Sequence, residues 1–354
     1  MLLTVTASIG FICLYSAAGG SLEPWATQQI TRFLLGLLVL VALALVDLRF
    51  WMRYAYLFYI VAFGLLIAVE LAGTGTGAQR WIGLGGFRLQ PSEIMKVALV
   101  LALARWFHRM AMEDIGKPHY LIVPLALILA PAGLVLRQPD LGTALTLVLV
   151  GGAVFFLAGV RVWKFVAVTL AALAAIPVAW SQLRDYQKDR ILTFLEPERD
   201  PLGAGYHILQ SQIALGSGGV SGKGFLQGTQ AHLNFLPEQQ TDFIFTILAE
   251  EFGILGGIFL LLCYGGIIIW GMAVAARSRN QFGRVLAMGL AVNFFLYAFI
   301  NMAMVMGLLP VVGVPLPMVS YGGTVMLTLM AGFGLMMSVH VNRDLVIRRR
   351  EHTD

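Results

Sequence analysis

Apolar residues in this chain come in long unbroken runs, not at the period of 2 or 3.6 that marks half-buried strands and helices of water-soluble domains. A helix crossing the hydrocarbon core of a bilayer needs roughly 20 apolar residues. Runs of that order follow one another at 3–18, 33–46, 54–72, 93–107, 120–136, 141–160, 165–180, 243–275, 285–309 and 318–341. They predict an all-α polytopic membrane protein with about ten transmembrane helices. The 243–275 run would extend roughly 50 Å as one helix, too far for a single upright span, so it is expected to protrude, tilt or break near Gly253, Gly256 and Gly257. The apolar stretch 2–18 has no basic segment before it and reads as a retained first helix, not a cleaved signal.

Between the seventh and eighth runs lies a polar interruption of about sixty residues, a length that is uncommon unless the segment is functional or disordered. Its apolar stretches at Ile191 to Leu195 and Ile208 to Leu215, with turn glycines throughout, point to a structured loop over 181–242. No repeat of 20–50 residues and no inverted symmetry is visible, so the expectation is one membrane domain, 1–354, containing that loop. Gly151, Gly152, Gly265 and Gly266 would let helices approach closely or leave a groove.

Basic residues orient the spans. Arg49 and Arg53, then Arg105, Arg109 and Lys117, then Arg161 and Lys164, then Arg277, Arg279 and Arg284, and finally Arg343 with Arg348 to Arg350 all fall on one side if there are ten spans. That side is the cytoplasm, which holds both termini. The opposite side carries Arg80, Arg88, Arg137 and the loop, whose Arg184, Lys188, Arg190, Arg199 and Lys223 lie in a connection too long for the short-loop rule to apply.

Composition agrees with the pattern: 58% of the 354 residues are hydrophobic and 12% charged, with a mean hydropathy of +0.81. The net charge of +5 does not indicate nucleic-acid binding, because the basic residues sit between apolar runs without interleaved aromatics. Cys13 and Cys263 lie inside apolar runs without CxxC or Cys/His spacing, which argues against a disulfide or a metal.

Charge at membrane depth is expensive and marks candidate chemistry. In Gln90-Pro91-Ser92-Glu93-Ile94-Met95-Lys96, Pro91 suits a first helical turn that Ser92 or Gln90 would cap. The spacing of three places Glu93 and Lys96 on one helix face. Two readings stay open: a self-neutralising pair that makes the helix insertable, or an anion site with Lys96 on a phosphate and Glu93 setting its position and charge. Arg80 lies in the glycine-rich outer turn Gly77-Ala78-Gln79-Arg80-Trp81-Ile82, which leads to Gly85-Gly86. Trp81 suits an interfacial anchor, and the Arg80 guanidinium suits either a lipid headgroup or diphosphate oxygens. Arg137-Gln138-Pro139-Asp140 forms another outer corner, with Asp140 favoured as a helix N-cap over a direct substrate contact. Asp242, the last ionisable group before an apolar helix, is expected at the outer interface as an N-cap or as a general base acting on a hydroxyl. Glu250 and Glu251 follow within the span and are expected to face protein or a cavity. No Ser-His-Asp order, Walker A loop or HExxH is present.

These motifs together resemble one family. Gly77 to Ile82, Gln90 to Lys96, Gln138 to Thr143, Phe194-Leu195-Glu196-Pro197-Glu198 with Asp200-Pro201, and Gln210-Ser211 occur in order along the chain. So do Ala214 to Gly219, Gly222-Lys223-Gly224, Gly228-Thr229-Gln230, Phe235 to Glu251, and Gly313 to Pro317 leading to Ser320-Tyr321-Gly322-Gly323. Nearly the whole chain is similar to the SEDS (shape, elongation, division and sporulation) family, and the Gly-Thr-Gln run places it nearer the elongation branch, the rod-shape-determining RodA type. One departure is Gln240, where the family commonly carries His, which counts against a histidine proton carrier there.

The resemblance implies a peptidoglycan glycosyltransferase of the bacterial cytoplasmic membrane that polymerises lipid II on the outer face, for cell elongation and rod shape. It implies that Asp242 is catalytic, deprotonating the acceptor hydroxyl in a single inverting displacement. Lys96 and Arg80 are then expected to hold the diphosphate, with Arg137 or a divalent cation assisting. Implied partners are a class B penicillin-binding protein supplying the transpeptidase, other elongation-complex membrane proteins, and membrane lipids. Two alternatives remain beside this reading: a lipid II flippase or transporter with Glu93, Lys96, Glu250 and Glu251 along its path, and a non-catalytic scaffold for a transpeptidase.

Overall fold

A computed structural model describes residues 1–72, 80–84, 87–111, 113–182, 185–200, 203–229 and 238–347. The sequence readings on Gly77-Ala78-Gln79, Gly85-Gly86, Arg184, Pro201, Gln230, Phe235 to Pro237 and Arg348 to Arg350 lie outside these residues. In chain order the elements are α1 (Leu2–Ala17), α2 (Ala26–Ala44), α3 (Leu48–Ala72), the antiparallel pair β1 (Ile82–Leu84) and β2 (Phe87–Leu89), α4 (Pro91–Arg109), α5 (Pro118–Arg137) and α6 (Leu141–Ala158). They continue with α7 (Val162–Gln182), α8 (Asp185–Leu195), a 3₁₀ turn (Pro197–Arg199), α9 (Ala204–Ser217), α10 (Ile244–Arg277), α11 (Gln281–Val305) and α12 (Gly323–Val341).

The chain is an all-α polytopic membrane protein. Among the described residues, α2, α3, α5, α6, α10, α11 and α12 are long and apolar enough to cross a membrane, and α1 and the first part of α7 are shorter apolar helices. The 93–107 run coincides with α4, whose Glu93, Lys96, Arg105 and Arg109 make it more polar than the helices on the other apolar runs. Within the stretch expected to form a structured loop, α8 and α9 fall on the two apolar segments.

The chain divides into two compact units, one of Met1–Ile30, Arg161–Gly265 and Tyr297–Gly322, the other of Thr31–Val160, Gly266–Leu296 and Gly323–Asp354. In the second unit the most polar helix is innermost: α4 packs against α3, α5, α6 and α12. Its Glu93 and Lys96 are buried, whereas Leu38, Ile60 and Ile122 are more than 60% exposed. In water such a surface would drive association. In lipid it is the stable arrangement, because charge is excluded from hydrocarbon and apolar side chains are not. Gly151 allows close packing, since a Cβ there would lie 2.5 Å from the Ile128 side chain; a Cβ on Gly152 or Gly265 would meet nothing within 4 Å among the described residues.

In the first unit, the expectation that the 243–275 run breaks at a glycine is borne out. Gly253 adopts φ 63°, ψ −159°, and splits α10. A break strands carbonyls on one half-helix and N–H groups on the other, and hydrocarbon offers no water to satisfy them. Residues 218–224 fill the gap. Lys223 N–H donates to Glu250 O at 2.9 Å and Gly224 N–H to Glu251 O at 3.1 Å, while Ile254 N–H donates to Gly219 O at 3.0 Å and Leu255 N–H to Val220 O at 3.2 Å. Only glycine fits at the break, because a Cβ on Gly253 would lie 2.5 Å from both Gly222 N and Val220 O.

Candidate active site

In the first unit, Asp242 closes a turn over residues 238–243, and α10 begins at Ile244. Phe243 therefore occupies the cap position and Asp242 stands one residue further out, which weighs against the N-cap reading. Asp242 is half-buried, at the edge of a buried stretch that runs from Phe243 to Glu250. Its backbone is held by two other segments: Asn301 Nδ2 donates to Asp242 O at 2.8 Å, Ser320 Oγ to Thr241 O at 2.5 Å, and Tyr321 N–H to Gln240 O at 2.8 Å. Gly313, at φ +70°, brings its Cα edge against the carboxylate, so that a Cβ there would lie 3.5 Å from Asp242 Oδ2.

Further along the same half-helix, Glu250 and Glu251 are each 1% exposed and face protein, as expected of charge at that depth. Lys223 Nζ donates to Glu250 Oε1 at 2.6 Å, Thr229 Oγ1 donates to the same oxygen at 3.0 Å, and Ser16 Oγ donates to Glu251 Oε1. Among the described residues, no cluster of three or more His, Cys, Asp or Glu side chains is placed to hold a metal ion.

The second unit contains the other four candidate residues. Pro91 starts α4 as expected, while Gln90 at the cap position makes no side-chain cap bond. Lys96 Nζ meets Glu93 Oε1 at 2.9 Å, with side-chain exposures of 2% and 4%. Arg80 is engaged by the α5–α6 corner: Nη2 donates to Pro139 O at 2.6 Å, Nε to Gln138 O at 3.5 Å, and Nη1 lies 3.6 Å from Asp140 Oδ2. Asp140 caps α6, accepting from Thr143 N–H at 3.1 Å and Thr143 Oγ1 at 2.9 Å. Arg137, on the same corner, is 75% exposed and 4.0 Å from Glu70. An apolar groove of about 300 Å³ runs along α4, lined by Leu89, Ile94, Val97 and Leu101 with Trp51 and Leu327.

Comparison with known proteins decides the family. The model of the cell cycle protein family FtsW/RodA/SpoVE matches residues 1–345. This chain belongs to that family, which is the SEDS family. The peptidoglycan glycosyltransferase MrdB of Escherichia coli K12 is 46% identical over 98% of this chain and 94% of its own length. A probable peptidoglycan glycosyltransferase FtsW of Trichlorobacter lovleyi is 35% identical over 98% of this chain and 93% of its own. A chain from a peptidoglycan synthase complex that coordinates polymerization and crosslinking superposes with a TM-score of 0.84 at 32% identity, covering 98% of this chain and 97% of that one. The rod-shape-determining protein RodA of Thermus thermophilus superposes with a TM-score of 0.73 at 28% identity, covering 97% of this chain and 95% of that one.

Within this SEDS chain the structure groups Glu93 with Lys96 and Arg80 with Asp140, leaves Arg137 beside Glu70, and sets Asp242 among residues of the other unit. Of the two residues that hold the Asp242 turn, Asn301 was not singled out by sequence reasoning, and Ser320 entered only as part of the Ser320-Tyr321-Gly322-Gly323 motif. A signal existed for Asn301, which with Asn293 places an amide inside an apolar run, since polar groups there bind backbone across helices.

Proposed function

We propose that this chain is a peptidoglycan glycosyltransferase that polymerises lipid II for cell elongation. It works in the bacterial cytoplasmic membrane with ten spans, both termini in the cytoplasm and the 181–242 loop outside. The ten spans are the seven long helices, α1, α7 and α4. A half-buried carboxylate at the start of an apolar helix, its backbone held by two other segments, carries this reading. Such a group is anchored in position yet within reach of a sugar presented from the lipid surface.

Asp242 takes the proton of the acceptor 4-hydroxyl. The oxygen attacks the anomeric carbon of the donor as the bond from that carbon to the diphosphate oxygen breaks, so an α-linkage becomes β without a protein nucleophile. The departing undecaprenyl diphosphate carries the electron pair, and its charge needs compensation by cations. Lys96, fixed by Glu93, is the principal one. Arg80, engaged by Gln138, Pro139 and Asp140, shapes the corner that leaves Arg137 exposed for phosphate oxygens. The apolar groove along α4 takes the proximal part of the prenyl chain, since its lining residues Ile94 and Val97 directly follow Glu93 and Lys96 on the helix. A class B penicillin-binding protein is the expected partner, because a structurally similar chain belongs to a peptidoglycan synthase complex.

Purified protein given lipid II in detergent micelles, where no sealed bilayer exists, tests this reading. Lengthening glycan strands on a gel are expected. Absence of product from folded protein, with lipid II moved across sealed vesicles instead, would replace the enzyme with a transporter.

A further inference from the structure

The Gly313 to Gly323 motif is used by no step of the reaction proposed above, yet it wraps the turn that carries Asp242. Three successive carbonyls, those of Gln240, Thr241 and Asp242, each accept one hydrogen bond, from Tyr321 N–H, Ser320 Oγ and Asn301 Nδ2. The donors are themselves fixed. Asn301, fully buried, gives its second amide hydrogen to Val314 O at 2.7 Å. Ser320 Oγ accepts from Leu316 N–H at 2.7 Å, and Ser320 O accepts from the buried Gln29 Nε2 at 2.8 Å. Gln29 Oε1 in turn accepts from Gly322 N–H at 3.3 Å.

The turn has one backbone bond of its own, from Thr241 N–H to Glu238 O at 3.0 Å, and the carbonyls of Gln240, Thr241 and Asp242 are left to partners from other segments. Asn301 has a specific suitability for this: a planar amide with two divergent N–H groups bridges two carbonyls at once, here one from the Asp242 turn and one from the 313–322 loop. Ser320 links the same two segments a second time, through one hydroxyl that donates to Thr241 O and accepts from Leu316 N–H.

We propose that Asn301 and Ser320 are positioning residues for Asp242, joining its turn to the 313–322 loop so that the carboxylate keeps one orientation toward the acceptor hydroxyl. This rests on Asp242 being the base. It assigns the two side chains no contact with substrate, and it therefore predicts a defect in turnover and not in binding. Displacement of a catalytic group by about 1 Å lowers a rate by about 100-fold.

Full-length wild type, Asn301→Leu, Ser320→Ala, Ser320→Thr and Asp242→Asn are compared in lipid II polymerisation, with melting temperature in detergent measured on each. Asn301→Leu keeps the side-chain size and removes both donors. It is expected to lower kcat about 10- to 100-fold with KM within about threefold of wild type. Ser320→Ala is expected to lower kcat in the same way, and Ser320→Thr, which retains the hydroxyl, to recover most of the rate. The proposal is overturned if the folded Asn301→Leu or Ser320→Ala protein turns over within twofold of wild type. It is also overturned if the loss lies in KM, or if it only tracks the fraction of protein folded. Should Asn301→Leu fail to accumulate, the Ser320 pair decides by the same criteria. Asp242→Asn separates the two ideas: if it polymerises normally, the base assignment fails, whereas if it is inactive while Asn301→Leu and Ser320→Ala are normal, only the positioning role fails.

Discussion

Lys223 reaches into the break of α10 and meets Glu250 at 2.6 Å, with Glu250 1% exposed and Lys223 27% exposed at the side chain. The same lysine donates its backbone N–H to the Glu250 carbonyl. One residue thus satisfies both a stranded carbonyl and a buried charge. Removing a single partner of such a pair is expected to destabilise by about 3–5 kcal/mol, because the other charge stays buried. Lys223→Met should lower the melting temperature in detergent, and Lys223→Met with Glu250→Gln should recover most of it. A double variant as unstable as the sum of the singles would show that the pair is not coupled.

Gly253 and Gly265 lie on the same helix and predict opposite outcomes. At Gly253 the positive φ and the 2.5 Å approach of Gly222 N and Val220 O exclude any side chain. Gly253→Ala is therefore expected to yield little folded protein. Gly265 has open space, and Gly265→Ala is expected to be neutral or to stabilise by up to about 1 kcal/mol through helix propensity. Comparable yield and melting temperature for both variants would contradict the broken-helix account.

The Glu93–Lys96 pair admits a structural and a catalytic role, and one set of variants separates them. Glu93→Gln alone leaves a buried ammonium and should destabilise by about 3–5 kcal/mol. Glu93→Gln with Lys96→Met removes both charges and should restore folding. If Lys96 meets the diphosphate, the folded double variant stays inactive in polymerisation; if the pair only eases insertion, activity returns with stability.

Arg80 and Arg137 should differ in kind. Arg80→Lys cannot reproduce a guanidinium fork that spans Gln138 O, Pro139 O and Asp140, and is expected to lower stability and activity together. Arg137→Gln removes an exposed cation with one distant partner among the described residues, so melting should change little while KM for lipid II rises. Unchanged kinetics in Arg137→Gln would remove that residue from the diphosphate site.

Local features of this structure were legible in the sequence and distant ones were not. Apolar run length located the helices, the three-residue spacing paired Glu93 with Lys96, and Asp140 before an apolar run announced an N-cap. The glycines of the 243–275 run announced the break, which Gly253 makes. What stayed hidden depends on where backbone groups of separate segments find partners. Gly218 to Gly224 reads as an ordinary glycine-rich turn, and nothing local says that it completes hydrogen bonds stranded 30 residues later. Ser320 reads as a loop serine until the carbonyl it holds, that of Thr241, is known. The residues around Asp242 left cap and base open, and the resemblance alone pointed to the base; that α10 starts at Ile244, two residues on, was not legible locally.

Polymerisation of lipid II by Asp242→Asn beside wild type tests the central claim most directly, since that change preserves the size of the side chain and removes its capacity to accept a proton. Asp242→Asn is expected to fold, melt near wild type and still bind lipid II, yet form no glycan strand. Strand formation at the wild-type rate by that variant would contradict it.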